Sequence, residues 1–393
     1  MKFGAAATIL FATTMLGMVT SQEEEGAIQK MCLFYPNPSA HARVDPILNY
    51  NGPSGHVHTF YGPQNIHPSI GADTTNQQLV GSNPAFSSSP WVENQSLYWH
   101  PSIYRVTEEN GQKVYNRVSQ LETSPYYRWN TDTLPATVEF PEGFRMIAYS
   151  NQQNANLGGE TGGNLLVECC GLDDEGEEDC ETTVGNPLIF PTRTCGFLGI
   201  AFSMPTCWDS SKGIGTNDPI THVAYTLDGT VSGPCPAGYD KRLPQVQLFV
   251  RIANYQGGTY QLSDGLDVFH VDFMNGWEKG KLDQIMAGCP KTGATGYNPP
   301  CDCDQFLTFN NQASGRVCDA DIRQHIVDEE TTVVTGQLPL STNSPGVSVV
   351  PRSWADNADP PFTCFEEPGT NFEGDGDGEG DDDDVSTIQE NQE

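Results

Sequence analysis

The chain has 393 residues, with 51 acidic side chains against 19 basic ones and a net charge of −32. A field of that sign repels phosphate backbones, so nucleic acid is not an expected partner, whereas polycations and divalent cations are favoured company. The length allows one large domain or two.

At the start, Lys2 precedes an apolar run from Phe3 to Val19, closed by the small residues Thr20 and Ser21. That layout predicts a secretory signal peptide over residues 1–21; the run is short for a membrane span and an acidic segment follows it. No later stretch is apolar enough to cross a bilayer. All twelve cysteines, Cys32 to Cys364, lie beyond the signal, an even set that predicts disulfides in an oxidising compartment. Two local pairings are expected: Cys169 or Cys170 with Cys180, and Cys301 or Cys303 with Cys289 or Cys318. The adjacent Cys169 and Cys170 should reach different partners, and Cys207 reads as half of a disulfide.

Further along, "NGPSGHVHTFYGPQ" (Asn51–Gln64) places two of the eight histidines one residue apart. Residues i and i+2 of a strand point the same way, about 6.6 Å apart, so His56 and His58 share a face and Val57 and Thr59 take the other. Asn94-Gln95-Ser96 is a glycosylation sequon. "YWHPSIYR" offers His100, Tyr104 and Arg105, and "EGFRMIA" offers Arg145. "GLDDEGEEDCETT" (Gly171–Thr183) reads as an acidic surface loop. In "THVAYTL", His222 opposes Val223, Tyr225 and Leu227. "QVQLFVRIA" puts Val246, Leu248, Val250 and Ile252 on one face. In "DVFHVDF", Phe269, Val271 and Phe273 point one way, and His270 and Asp272 the other.

Helical periodicity is confined to "KLDQIMAG" (Leu282, Ile285, Met286) and "DIRQHIVDEE" (Ile322, Ile326). The terminal stretch from Glu366 to Glu393 carries twelve acidic residues and no basic one, leaving −20 of the −32 for the remainder. It cannot bury apolar area and should be disordered, with divalent cations or polycations as its natural partners. With 40 glycines and 28 prolines punctuating short alternating segments, the prediction is an all-β, mainly antiparallel fold: a single β-sandwich or jelly-roll-like domain with few short helices. Its bounds are residues 22–365, with an acidic tail over 366–393.

Three strands thus set a histidine opposite their apolar face. If they share a sheet, His56, His58, His222 and His270 converge with Asp272 on its polar surface. Such a set could hold a divalent metal ion with an open position. Without metal, a histidine beside Asp272 could serve as a general base, with Arg145 stabilising charge. Neither a phosphate-binding loop nor a serine-nucleophile elbow is present.

The blocks "RVDPILNYNGPSGHVHTFYG", "LYWHPSIYR", "FPEGFRMIAYS", "IAFSMPTCWDS", "THVAY", "CPAGYDKRLPQVQLFVRI" and "VFHVDFMNGWE" occur in that order between about Arg43 and Cys289. Together they resemble the secreted, mainly fungal proteins that carry the domain of unknown function numbered 1996. Carried over position by position, the family's blocks fall on Asp45, His56, His58, Trp99, Tyr104, Arg145, Cys207, Trp208, Asp209, His222, His270, Asp272, Asn275 and Trp277. The chain departs at Ile103, in the acidic loop around Glu175 and in the Cys-rich extension over 290–365. The resemblance supplies no reaction. It implies secretion, a β-rich domain and a setting near cell walls or extracellular glycans.

The functional expectation is therefore a secreted protein that acts on or binds extracellular polysaccharide or cell-wall material. His56, His58, His222, His270, Asp272 and Arg145 would form its cleft, and Trp99, Tyr104, Trp208 and Trp277 would offer stacking faces to sugar rings. The other expectation is a non-catalytic wall or matrix protein that binds metal or glycan through the same histidines.

Overall fold

The computed structural model describes residues 28–48, 54–63, 79, 87–119, 121–151, 164–172, 178–184, 187–290, 301, 303–309, 316–318, 331–338 and 364–366. The predicted signal peptide, the 321–330 helix and nearly all of the acidic tail lie outside these residues.

Alternation does build sheets. A six-stranded antiparallel sheet has the spatial order Gln29–Cys32, Leu121–Trp129, Gln245–Ala253, Phe197–Ser203, Leu165–Leu172, Glu178–Val184. Its central strand is the predicted one, with Val246, Leu248, Val250 and Ile252 buried together. A five-stranded antiparallel sheet follows the order Ala40–Ala42, His58–Tyr61, Leu97–Pro101, His270–Met274, Arg145–Tyr149. Its Tyr61, Tyr98, Met146, Ala148, Val271 and Phe273 join one apolar core with the large sheet's Leu121, Leu198, Val246 and Val250. The fold is thus β-sandwich-like, as the alternation predicts.

The opposite face of the five-stranded sheet buries a smaller core: Ala40, Ala42, Phe60, Leu97, Trp99, Ile147 and Met274. Because side chains alternate along a strand, His58, His270, Asp272, Arg145 and Tyr149 belong to this face as well. That parity places the polar residues.

"KLDQIMAG" forms an α-helix, Lys281–Gly288, burying Leu282, Ile285 and Met286 as expected. The Glu139 carboxylate accepts from Gly280 N at 3.0 Å and Asp283 N at 3.5 Å, serving as the cap that Gly280 lacks. No helix among the described residues is long and apolar enough to cross a membrane.

Among the described residues five disulfides are formed: Cys32–Cys301, Cys169–Cys195, Cys170–Cys180, Cys207–Cys235 and Cys289–Cys303. Both local expectations narrow to one pairing each, and Cys169 and Cys170 part company. This is a bond set suited to an oxidising compartment.

Candidate functional site

The site starts from the turn before Val57. His56 precedes the His58–Tyr61 strand, and the two rings meet with centroids 4.2 Å apart. Across the sheet, His270 opens the strand His270–Met274, and its ring lies 5.4 Å from each of the other two. One ring nitrogen from each of His56, His58 and His270 falls within 4.8 Å of the others. His58 is fully buried, His270 is 6% exposed and His56 is partly exposed, so the way in from solvent is over His56.

The second ring nitrogens are largely committed. His58 Nδ1 lies 2.7 Å from the Val44 carbonyl, and His270 Nδ1 lies 2.6 Å from Asp272 Oδ2. A carbonyl and a carboxylate only accept, so both Nδ1 atoms carry the proton, and in the neutral ring each Nε2 keeps a lone pair. His58 Nε2 is buried with no hydrogen-bond partner among the described residues. His270 Nε2 lies 3.2 Å from His56 Nε2. Lone pairs that converge while their Nδ1 atoms are held by backbone carbonyl and carboxylate match the outer-shell arrangement of metal-binding histidines.

Electrostatics separate the three rings. Burial pushes His56 down to about 3, with His270 and Arg43 adding to it. Burial likewise holds His58 well below the usual histidine range, reinforced by His56 and His270. Burial also opposes a charge on His270, but Asp272, by charge and hydrogen bond, and then Asp264 and Asp45 hold it above its ordinary value. All three carboxyls are themselves raised by burial. Tyr149, opposite His270 in register and 5.4 Å away by ring centroid, is pushed up to about 12 by burial and then by Asp272. Three acidic groups grouped around one imidazole make the pocket hospitable to a cation.

The remaining predicted residues lie elsewhere. His222 is not in the trio. It precedes Val223–Ala224, which pairs with Cys207–Trp208 in a separate three-stranded sheet. The rest of "THVAYTL" leaves the extended form, and His222 is no member of the five-stranded sheet, although its ring lies beside the Arg145 backbone at that sheet's edge. Its ring is 0% exposed and packs on Phe144, centroids 5.1 Å apart. Gly215 (φ +88°) gives it room, since a Cβ there would meet the Arg145 carbonyl at 2.1 Å and His222 Nε2 at 2.9 Å. Burial lowers His222 to about 4, partly opposed by Asp218. Arg145 is buried, and its Nε donates to the Gly143 carbonyl at 3.3 Å.

The expected stacking faces are mostly interior. Trp99 and Tyr104 are 0% exposed and Trp277 is 3% exposed. Trp99 tilts against Phe60, Trp277 meets Tyr127 edge-on, and Tyr104 donates to the Thr331 carbonyl at 2.6 Å. Trp208 is half-buried and meets Phe144 edge-on. These rings fill cores and offer little to a sugar. His100 lies on the inner face, where its Nε2 is 3.3 Å from the Tyr61 hydroxyl.

Sequence reasoning missed Tyr149 and Asp264. The signal for Tyr149 was present: in "RMIAY" it shares a face with Arg145 and Ile147. Asp264 sits in a turn, where no periodicity speaks.

The family model described as "Domain of unknown function (DUF1996)" matches residues 45–277. The chain belongs to the DUF1996 family. The matched span contains all three histidines of the trio, Asp272 and Tyr149, so these residues of this DUF1996 protein lie in the shared domain. No curated protein and no solved structure matches the chain.

Proposed function

We propose that His56, His58 and His270 form a centre for one divalent first-row transition metal, in a secreted protein that acts on or binds extracellular glycan. The carrying observation is the buried His58 Nε2, unpartnered among the described residues, beside two other imidazoles within 4.8 Å. Imidazole donors favour zinc, copper, nickel or iron over calcium or magnesium. Three protein nitrogens leave coordination positions for water or substrate, and His56 faces the approach. A bound ion of this kind would supply Lewis acidity and an activated water. The chain's own contribution is to fix the rings: Val44 and Asp272 hold two tautomers, and Asp45 and Asp264 balance the cation's charge.

The glycan assignment rests on the family's setting and on an acidic, disulfide-bonded chain, not on the predicted aromatic faces. To test the centre, the mature protein is analysed by metal mass spectrometry and assayed on a polysaccharide panel for reducing ends and unsaturated products. One equivalent of metal, lost in His58→Ala with folding intact by circular dichroism, supports it. Metal-free wild-type protein that also fails to take up zinc or copper by titration refutes it. Metal with binding but no turnover identifies the non-catalytic protein.

One observation favours a second reading. The 3.2 Å contact between His56 Nε2 and His270 Nε2 suits a shared proton, with Asp272 orienting His270 as a general acid or base. In that case chelation leaves activity unchanged.

A further inference from the structure

The loop that brings Asp264 to His270 has a second wall. Between this loop and residues 188–190 lies a cavity of about 390 Å³, lined among others by Phe190, Tyr260, Gln261, Leu266 and Asp267. Its floor is aromatic. Phe190 stacks on Tyr260 with centroids 5.6 Å apart and planes 29° from parallel, and Tyr260 stacks on Tyr255 at 4.6 Å and 28°. Tyr255 is buried and anchored through its hydroxyl to the Pro191 carbonyl at 2.7 Å. Phe190 and Tyr260 are only half-buried, and Leu266 beside them is 61% exposed.

This groove is joined to the histidine centre by short, fixed links. Leu188 N donates to the Asp267 carbonyl at 2.8 Å, closing the groove's wall. Ser263, at the base of the same loop, donates through Oγ to the carbonyl of Val57 at 2.5 Å, and Val57 is the residue between His56 and His58. Ser102 N donates to that carbonyl as well, at 2.9 Å. Asp264, next in sequence, bears on His270. One loop therefore shapes both places.

We infer that the groove seats a pyranose ring of a neutral polysaccharide chain. The half-buried rings of Phe190 and Tyr260 in its lining fit the C–H face of a sugar, and the polar residues Gln261 and Asp267 of the same lining suit its hydroxyls. A net charge of −32 and a carboxylate in the lining disfavour an anionic occupant. The inference deepens the glycan reading above and rests on it, but not on the metal.

The test is affinity electrophoresis of the full mature protein in native gels containing laminarin, xylan, glucomannan or glycol chitin. At least one neutral polymer retards the wild type. Leu266→Arg, at an exposed position that leaves the fold alone, and Tyr260→Ala each weaken the retardation about tenfold, the loss expected for a stacking contact, with metal content unchanged. Two results overturn the inference: no polymer retards the wild type, or both variants are retarded as strongly as it. Sedimentation showing a dimer that Leu266→Arg dissolves assigns the groove to a second copy and overturns it too. If His58→Ala loses its metal and keeps its retardation, the two sites are separate. If the wild type binds no metal while the groove variants still weaken retardation, only the metal centre falls.

Discussion

His270 Nε2 lies 3.2 Å from His56 Nε2 although 214 residues separate them in the chain, and the other nitrogen of His270 rests on Asp272 at 2.6 Å. Asp272 thus controls His270 without facing the third ring's open nitrogen. Its neutral analogue should separate holding from ligating. If the proposed centre holds a metal, Asp272→Asn should keep one metal per chain while affinity falls roughly 10- to 100-fold, the loss expected when an outer-shell partner of a metal-bound histidine is removed. Competition titration with a chromophoric chelator reads this directly. Unchanged affinity would mean that Asp272 only fills space.

His222 serves as the internal contrast. Outside the trio and packed on Phe144, it should matter to stability and not to metal. His222→Ala is expected to lose roughly 2–4 kcal/mol by denaturant unfolding, as for other large-to-small core changes, with metal content equal to wild type. Loss of metal at preserved stability would return His222 to the site.

The inner-face His100 provides a pH signature. It is 0% exposed and burial lowers it from 6.5 to about 4. The unfolded chain then binds a proton that the folded chain refuses, so stability rises with pH across that window. The contribution is fully present above about 6.5 and is lost as pH falls toward 4, with a slope of about 1.4 kcal/mol per pH unit. Unfolding midpoints at pH 7, 6 and 5 should show a flatter dependence in His100→Gln, by the slope of one proton. Parallel curves would mean that His100 does not titrate differently on folding.

The sequon at Asn94 is closed by the fold. Asn94 is 0% exposed, its Nδ2 donates to the Tyr98 and Tyr35 hydroxyls at 3.1 and 3.3 Å, and its Oδ1 accepts from Ser96 N at 3.0 Å. An amide occupied in this way has no room for a sugar. Intact-mass and peptide mapping of folded protein secreted from a eukaryotic host should find Asn94 unmodified, and a glycan there would contradict the packing.

Cys32–Cys301 ties the first described strand to the extension across 269 residues. The paired change Cys32→Ser/Cys301→Ser should cost about 2–5 kcal/mol by freeing the unfolded chain. The midpoint of thermal unfolding under non-reducing conditions measures it, and an unshifted midpoint would mean that the extension is held by other contacts. Those other contacts include Glu93, whose carboxylate accepts from Thr308 N and Oγ1 at 2.9 and 2.7 Å.

Much of the site can be read along single strands. The two-residue period sends Val271 and Phe273 to the core and His270 and Asp272 to the other face, and it groups Arg145 with Tyr149. The same period in "QVQLFVRIA" and the 3.6-residue period in "KLDQIMAG" give a buried strand and a helix, because each reports only which side of one element is apolar. In sequence, Trp99 and Trp277 look like available aromatics, since nothing local distinguishes a ring that will be covered from one that will not.

What the linear chain fixes here, then, is the side of the backbone on which each polar group stands, together with the expectation that Cys180 pairs with one of Cys169 and Cys170, which the structure decides for Cys170. Which strands lie side by side is another matter, settled only when the entire apolar surface is buried at once. That global packing joined His56 and His58 to His270 and left His222 at the head of a strand in a separate three-stranded sheet. Contacts between residues 214 positions apart arise from the collective burial of two cores, and no window of sequence contains that information.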